Sequence, residues 1–226
     1  MHLDVVIPAA GVGSRMHSDI PKQYLKIFGK EVITRTIEIF LDLECVKNII
    51  VVIGQNDTTF KTLPISKHPK IKIAIGGQER VDSVLSGLKQ STCNYVLVHD
   101  AARPLVLHDD ILNLIDTCTK GNCVGGILAC AVADTLKSEK DGCIVATVDR
   151  SHMFRAQTPQ LFDTKLLIEA IEKALDKKAT ITDEASAMEL CGYDVKIVEG
   201  KSTNFKLTTP DDFDLAKALI AFKELK

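Results

Sequence analysis

What the chain lacks narrows its function first. No run of 18 apolar residues occurs, so no segment reads as a membrane-spanning helix. The N-terminus passes straight into a strand-like run, with no signal or transit region. Cysteine occurs seven times, at 45, 93, 118, 123, 130, 143 and 191, but never as C-x-x-C. An odd, scattered set argues against a disulfide framework or a zinc site, and thiols within apolar runs behave as small hydrophobes. Reduced thiols in a cytoplasmic protein are therefore expected. Neither sign of charge dominates: 28 Lys and Arg against 30 Asp and Glu leave a net charge of −2. That excludes a dedicated nucleic-acid binder and leaves room for a local basic pocket. Repeats, linkers and low-complexity segments are missing as well. With 226 residues, 46% hydrophobic and 26% charged, the sequence reads as a single domain over 1–226 with a sizeable core.

What is present is alternation. Leu3 to Ile7, broken only by Asp4, is a first strand. Val32, Ile33, Thr36, Ile37, Phe40 and Leu41 recur at helical spacing. Asn48 to Ile53 is a continuous apolar strand of the kind buried on both faces of a parallel sheet. Ile71 to Ile75 is a third strand, followed by a helix with Val81, Val84, Leu85 and Leu88 on one face. Tyr95 to Val98 runs into His99-Asp100-Ala101-Ala102-Arg103-Pro104. Asp109 is expected to cap the next helix, with Ile111, Leu112, Leu114, Ile115 and Cys118 facing inward. Gly126 to Val132 is a fifth strand. A helix over Leu166 to Leu175, a short one from Asp183 to Leu190, a strand over Val195 to Val198 and a helix opened by Thr209-Pro210-Asp211-Asp212 complete the chain. The pattern predicts right-handed βαβ units: an α/β fold with a mostly parallel sheet and helices on both faces.

The alternation breaks over 133–155. Thr135-Leu136-Lys137 and Ile144 to Val148 flank Ser138 to Gly142, and Asp141-Gly142 is a strong hairpin turn. A protruding β-arm is expected. Two strands alone are marginal in water, so the arm should pack on something, a second subunit being one candidate.

Chemistry concentrates at strand ends. Pro8-Ala9-Ala10-Gly11-Val12-Gly13-Ser14-Arg15-Met16 follows the first strand, and Pro21-Lys22-Gln23 follows that. Gly11 and Gly13 let the backbone turn tightly and bring N–H groups to an anion. Arg15 and Lys22 supply positive charge for a polyphosphate, and ligands of open parallel sheets sit at the carboxyl ends of strands. Two common phosphate loops are excluded. Met16 occupies the third glycine of G-x-G-x-x-G, no acid closes the next strand, and no G-K-[ST] occurs. An NAD-dependent oxidoreductase is disfavoured on the same grounds. Gly76-Gly77 with Ser83 reads either as a turn with a capping serine or as a surface for a base or ribose. Asp100, three residues before Arg103, is costly to bury unused and reads as a Mg²⁺ ligand beside a phosphate-binding arginine. His99 reads as a hydrogen-bonded structural residue. Lys206 reads, by its surroundings alone, as a solvated lysine.

Taken in order, P-A-A-G-V-G-S-R-M, P-K-Q-Y, G-G-Q-E-R-V-D-S-V, V-H-D-A-A-R-P, D-T-L-K, T-V-D-R, Q-T-P-Q, T-D-E-A-S-A and N-F-K-L-T-T-P-D-D closely resemble the 2-C-methyl-D-erythritol 4-phosphate cytidylyltransferases of the non-mevalonate isoprenoid pathway. The resemblance covers essentially the whole chain. It implies a Rossmann-like nucleotidyltransferase fold, a homodimer joined through the arm, and transfer of a cytidylyl group from CTP to 2-C-methyl-D-erythritol 4-phosphate with Mg²⁺ or another divalent metal. It further implies that Pro8, Ala9, Ala10, Gly11, Gly13, Gly77 and Ser83 contact CTP, and that Arg15 and Lys22 bind the triphosphate. Asp100 matches the metal-associated acid, Arg103 a substrate contact and Lys206 a lysine near the α-phosphate. Thr135 and Arg150 on the arm, and Thr158 just beyond it, match residues reaching methylerythritol phosphate in the partner's site. The arm departs from its relatives at Ala133, where a charged residue is common before Asp134.

The implied chemistry suits these residue types. A phosphate monoester with a second pKa near ~6 is largely ionised at neutral pH, so no general base is required. What remains is to hold two anions together and neutralise the charge that develops. A ribitol 5-phosphate enzyme is the nearest rival, but those tend to show A-G-G in place of Ala9-Ala10-Gly11, a bulkier residue at Ala102, and no T-D-E-A-S-A as at 182–187. A non-catalytic nucleotide-binding module is expected to have lost Arg15, Lys22, Asp100 or Lys206, and all four are present.

Overall fold

The computed structural model describes residues 1–11, 20–121 and 123–224. Arg15 and Gly13 thus lie outside the described residues. In chain order the elements are β1 (Leu3–Pro8), β2 (Lys26–Ile27), β3 (Lys30–Glu31), α1 (Val32–Leu41), β4 (Val46–Ile53), α2 (Thr59–Thr62), β5 (Ile71–Ile75), α3 (Arg80–Leu88) and β6 (Tyr95–Val98). They continue with α4 (His108–Lys120), β7 (Gly125–Ala131), β8 (Leu136–Lys140), β9 (Cys143–Val148), β10 (Phe154–Asp163), α5 (Thr164–Asp176), α6 (Glu184–Leu190), β11 (Lys196–Glu199) and α7 (Pro210–Glu224).

A seven-stranded sheet in the order β11-β7-β10-β6-β1-β4-β5 forms the centre. Its neighbours are parallel except β10, which runs antiparallel to both β6 and β7. Successive side chains of a strand point to opposite faces, and both faces are covered here. Val5, Ile7, Ile49 and Val51 meet Ile37 and Phe40 of α1 and Ile111 and Leu114 of α4. Val6, Ile50 and Val52 meet Val84 and Leu88 of α3, Leu167 and Ile171 of α5, and Met188 of α6. Two-sided burial is why β4 is an unbroken apolar run. A third cluster seats α7, through Ala216 and Ile220, on Ile27, Val32, Ala102 and Leu207.

The structure differs from the sequence reading in three places. β10 was not expected as a strand, because Gln157, Thr158, Pro159 and Gln160 are polar or lack a donor, and proline argues against a central strand. The ladder absorbs them by a shift of register between Ala156 and Gln160. The arm is accordingly shorter than 133–155: Phe154 and Arg155 already pair with Ala131 and Cys130 in the main sheet. Its hairpin closes where expected, with Asp141 at φ 54° and Gly142 at φ 80°. The third difference is at α4, which starts at His108 with Leu107 as its N-cap, so Asp109 sits in the first turn rather than capping it. Leu112, one residue and about 100° of helical rotation past Ile111, faces outward and is 47% exposed. Among the described residues no helix is long and apolar enough to cross a membrane.

Candidate active site

The loop after β1, the start of α3, the turn after β6 and the segment before α7 enclose a cavity of about 260 Å³. Pro8, Ala9, Ala10, Gly11, Lys22, Gly77, Ser83, Asp100 and Lys206 line it, together with Gln23 and Arg80. Residues from four separate stretches of sequence are thereby brought to one place at the carboxyl ends of the parallel strands.

Each wall has a local cause. The Ala9 N–H donates to the Val52 carbonyl at 2.7 Å, extending the β1–β4 ladder by one residue. The buried Gln23 amide then donates to the carbonyls of Ala9 (2.8 Å) and Gly11 (3.1 Å), which fixes the path of the loop backbone. Opposite, a Cβ on Gly76 would lie 2.5 Å from Ser83 Oγ and 2.7 Å from Ala10 Cβ, and one on Gly77 2.3 Å from Asp82 Cβ. The glycine pair lets the start of α3 close against the loop; its space is already filled by the helix. Ser83 does not cap α3. Glu79 and Asp82 form the capping box, and the Ser83 hydroxyl donates to the Glu79 carbonyl at 3.2 Å.

Asp100 is the electrostatic centre. Only 7% exposed, it meets Arg80 Nη2 (3.3 Å) through Oδ1, and Arg103 Nε (3.3 Å) and Lys206 Nζ (3.0 Å) through Oδ2. Burial alone would raise its pKa. The cations Arg80, Lys206 and Arg103 outweigh burial and hold it well below the usual carboxylate range. The group is ionised at any working pH. Its backbone N–H donates to Thr158 Oγ1 at 3.0 Å, and that hydroxyl is 3.1 Å from His99 Nδ1. Full burial pushes His99 down to about 4, so the imidazole is neutral. A hydroxyl that accepts from Asp100 donates to Nδ1, leaving the Nε2–H of His99 to donate to the Arg103 carbonyl at 3.0 Å.

A sequence profile described as IspD, 2-C-methyl-D-erythritol 4-phosphate cytidylyltransferase, matches residues 3–221. The chain belongs to this family. A cytidylyltransferase of that name from Aliivibrio fischeri (strain MJ11) is 46% identical over 222 residues, 96% of this chain and 93% of the relative. One from Escherichia coli O17:K52:H18 is 45% identical over 221 residues, again 96% and 93% of the two chains. The crystal structure of the Francisella tularensis enzyme superposes with a TM-score of 0.83 at 35% identity, covering 96% of this chain and 99% of that one. The nucleotidyltransferase-like α/β fold is thus shared.

Within this cytidylyltransferase chain, the expected site residues separate into groups. Lys22 and Lys206 lie on the cavity wall, the former also donating to the Leu207 carbonyl at 2.9 Å. Arg103 does not line the cavity. It is 11% exposed, braces Asp100 from behind and donates to the Asn204 carbonyl at 2.7 Å. Thr158 is also buried, and its hydroxyl is engaged by Asp100 and His99. Thr135 and Arg150 are exposed on the arm and line no part of their own chain's cavity. Lys206 is a cavity cation and not merely solvated.

Sequence reasoning missed Gln23, Arg80 and Glu184 as site residues. Arg80 and Glu184 are 104 positions apart, so no local spacing joins them. The available signal was that both stand as charged residues inside the motifs G-G-Q-E-R and T-D-E-A-S-A with no use assigned to them. Among the described residues no cluster of three or more His, Cys, Asp or Glu gathers. The carboxylates on the cavity wall are Asp100 and Glu79.

Proposed function

We propose that this cavity transfers the cytidylyl group of CTP to 2-C-methyl-D-erythritol 4-phosphate, giving 4-diphosphocytidyl-2-C-methyl-D-erythritol and pyrophosphate. The observation that carries the reading is the ionised Asp100 with Lys206 and Arg80 around it, facing the Pro8–Gly11 loop across a cavity with Lys22 on its wall. An oxygen of the substrate's phosphate attacks the α-phosphorus of CTP. The new P–O bond forms as the bond to the pyrophosphate oxygen breaks, and pyrophosphate leaves with that electron pair. No residue removes a proton, because the nucleophile is already an anion.

The chain's task is placement and charge. Pro8, Ala9, Ala10, Gly11, Gly77 and Ser83 form the wall for the nucleoside, and Gly13, outside the described residues, is a further CTP contact. Arg15 and Lys22 neutralise the triphosphate and the departing pyrophosphate, while Lys206 moves from Asp100 to the α-phosphate side. The ionised Asp100 carboxylate on the cavity wall would hold a Mg²⁺ ion. When bound, the ion supplies charge neutralisation on the phosphates. Arg103 serves the substrate through Asp100. Thr135 and Arg150 reach the methylerythritol phosphate of a partner subunit, with the arm as the dimer contact.

The test is pyrophosphate release by the purified protein. Release with CTP and methylerythritol phosphate should greatly exceed that with ribitol 5-phosphate, and EDTA should abolish it. Faster turnover of ribitol 5-phosphate would overturn the substrate, and tight CTP binding without turnover would overturn the enzyme.

A further inference from the structure

We infer that Arg80 and Glu184 are a positioning pair for this transfer, holding Asp100 rather than the triphosphate; the inference rests on the function proposed above. Arg80 opens α3, lines the cavity and has 32% of its side chain exposed. Charge and place alone would make it one more phosphate ligand. Its hydrogen bonds argue otherwise. Nη1 donates to Glu184 Oε1 at 2.7 Å and Nη2 to Oε2 at 3.2 Å, the two-pronged fit of guanidinium on carboxylate. Nε reaches Asp100 Oδ1 at 3.3 Å. Both prongs and the shaft of the fork are engaged by acids.

Lys206 is built differently. It meets Asp100 through a single nitrogen on a flexible stem, so an arriving phosphate takes it by breaking one contact. Taking Arg80 would strand Glu184, whose side chain is 2% exposed, as a buried charge without its cation. The geometry thus divides the cations into one that transfers and one that stays.

Glu184 is itself fixed from the sheet. Gln160 of β10, 1% exposed, accepts from the Ala185 N–H and donates to Asp183 Oδ2, both at 2.9 Å, which clamps the start of α6. β10 therefore reaches Asp100 twice: through Thr158 to its N–H, and through Gln160, α6 and the Glu184–Arg80 pair to its carboxylate.

Steady-state kinetics of Arg80→Lys, Glu184→Gln and the double variant test the pair. Each single change should lower kcat about tenfold or more while KM for CTP moves less than about threefold, and the double should be no worse than the poorer single. A Lys variant within about twofold of wild type, an indifferent Glu184→Gln, or losses that multiply would overturn the inference. Wild-type turnover separates the two levels: a wild type that makes no cytidylyl product defeats the proposed function, whereas an active wild type with indifferent variants defeats only the pair. Should the variants not fold, nitrogen NMR of wild-type protein decides. The Arg80 guanidinium N–H signals should show no coupling or contact to phosphorus at saturating CTP, and such a coupling would overturn the assignment.

Discussion

Lys206 and Asp100 face each other at 3.0 Å through one nitrogen, and in the proposed transfer that single contact is what frees the lysine. An ammonium on a four-carbon stem carries three rotatable donors and can exchange a carboxylate for a phosphate without leaving a buried charge unpaired. Replacing it by methionine keeps most of the volume and removes the charge. Lys206→Met should lower kcat on the order of 10²-fold with the melting temperature little changed, as read by pyrophosphate release and calorimetry. At this scale the sequence was informative where a polar residue stood at a strand end, as with Asp100 just after β6. It was silent where the meaning of a residue lies in its partner. Arg103 reads by itself as a phosphate ligand, yet its side chain is turned to Asp100, as is the hydroxyl of Thr158. Glu184 looks like a helix start until Arg80 arrives from 104 residues away.

Among elements, β1 shows how much a strand's two ends differ. Its carboxyl end opens into the cavity, while Asp4 near its amino end is fully buried. Asp4 Oδ1 accepts from Asn48 Nδ2 at 2.7 Å and Oδ2 from Thr92 N at 2.7 Å and Ser91 Oγ at 2.9 Å, tying β1 to β4 and to the turn before β6. Burial would raise its pKa, but the Thr92, Asn48 and Ser91 hydrogen bonds prevail and lower it below 3.8. A carboxylate lowered on folding adds stability that is complete above its unfolded pKa and lost as pH falls through the folded one. Asp4→Asn should therefore cost about 1–3 kcal/mol at pH 7, and the wild type's advantage should shrink as pH falls from about 5 toward 3. Urea titrations at several pH values measure this; a difference constant with pH would contradict it. The continuous apolar runs and the helical periodicity made β1, β4, β6, α1 and α3 legible because each is set by local burial. β10 was not, because a strand with a proline and three polar residues is stabilised by neighbours on both sides rather than by its own pattern.

At the scale of the whole molecule, the arm carries Ile144 at 69% and Val145 at 64% exposure, an apolar surface that water does not favour. The proposed role of Arg150 in a partner's cavity gives a mixing test. Arg150→Ala and Lys206→Ala should each be nearly inactive alone. Co-refolded in equal amounts they should recover about a quarter of wild-type activity, since half the dimers are mixed and each holds one intact site. No recovery, with dimers confirmed by sedimentation, would mean that Arg150 serves its own chain. The sheet order itself could not be read from the sequence, because the alternation of strands and helices says nothing about a late strand inserted between two earlier ones.

That insertion bears on how the chain is born. β5, β4, β1 and β6 are contiguous in the sheet and emerge from the ribosome together, so half the sheet can close early. β7 pairs with β10 and β11 and with no earlier strand, so it leaves the tunnel without a neighbour and waits through the arm for residues 154–163. Until then β6 presents an open edge, the kind of surface chaperones shield from sticky company. Asp100 sits beside that edge. Thr158 of β10 and then Glu184, which hold it, are synthesised after that edge forms, so this carboxylate is among the last groups of the molecule to find its place.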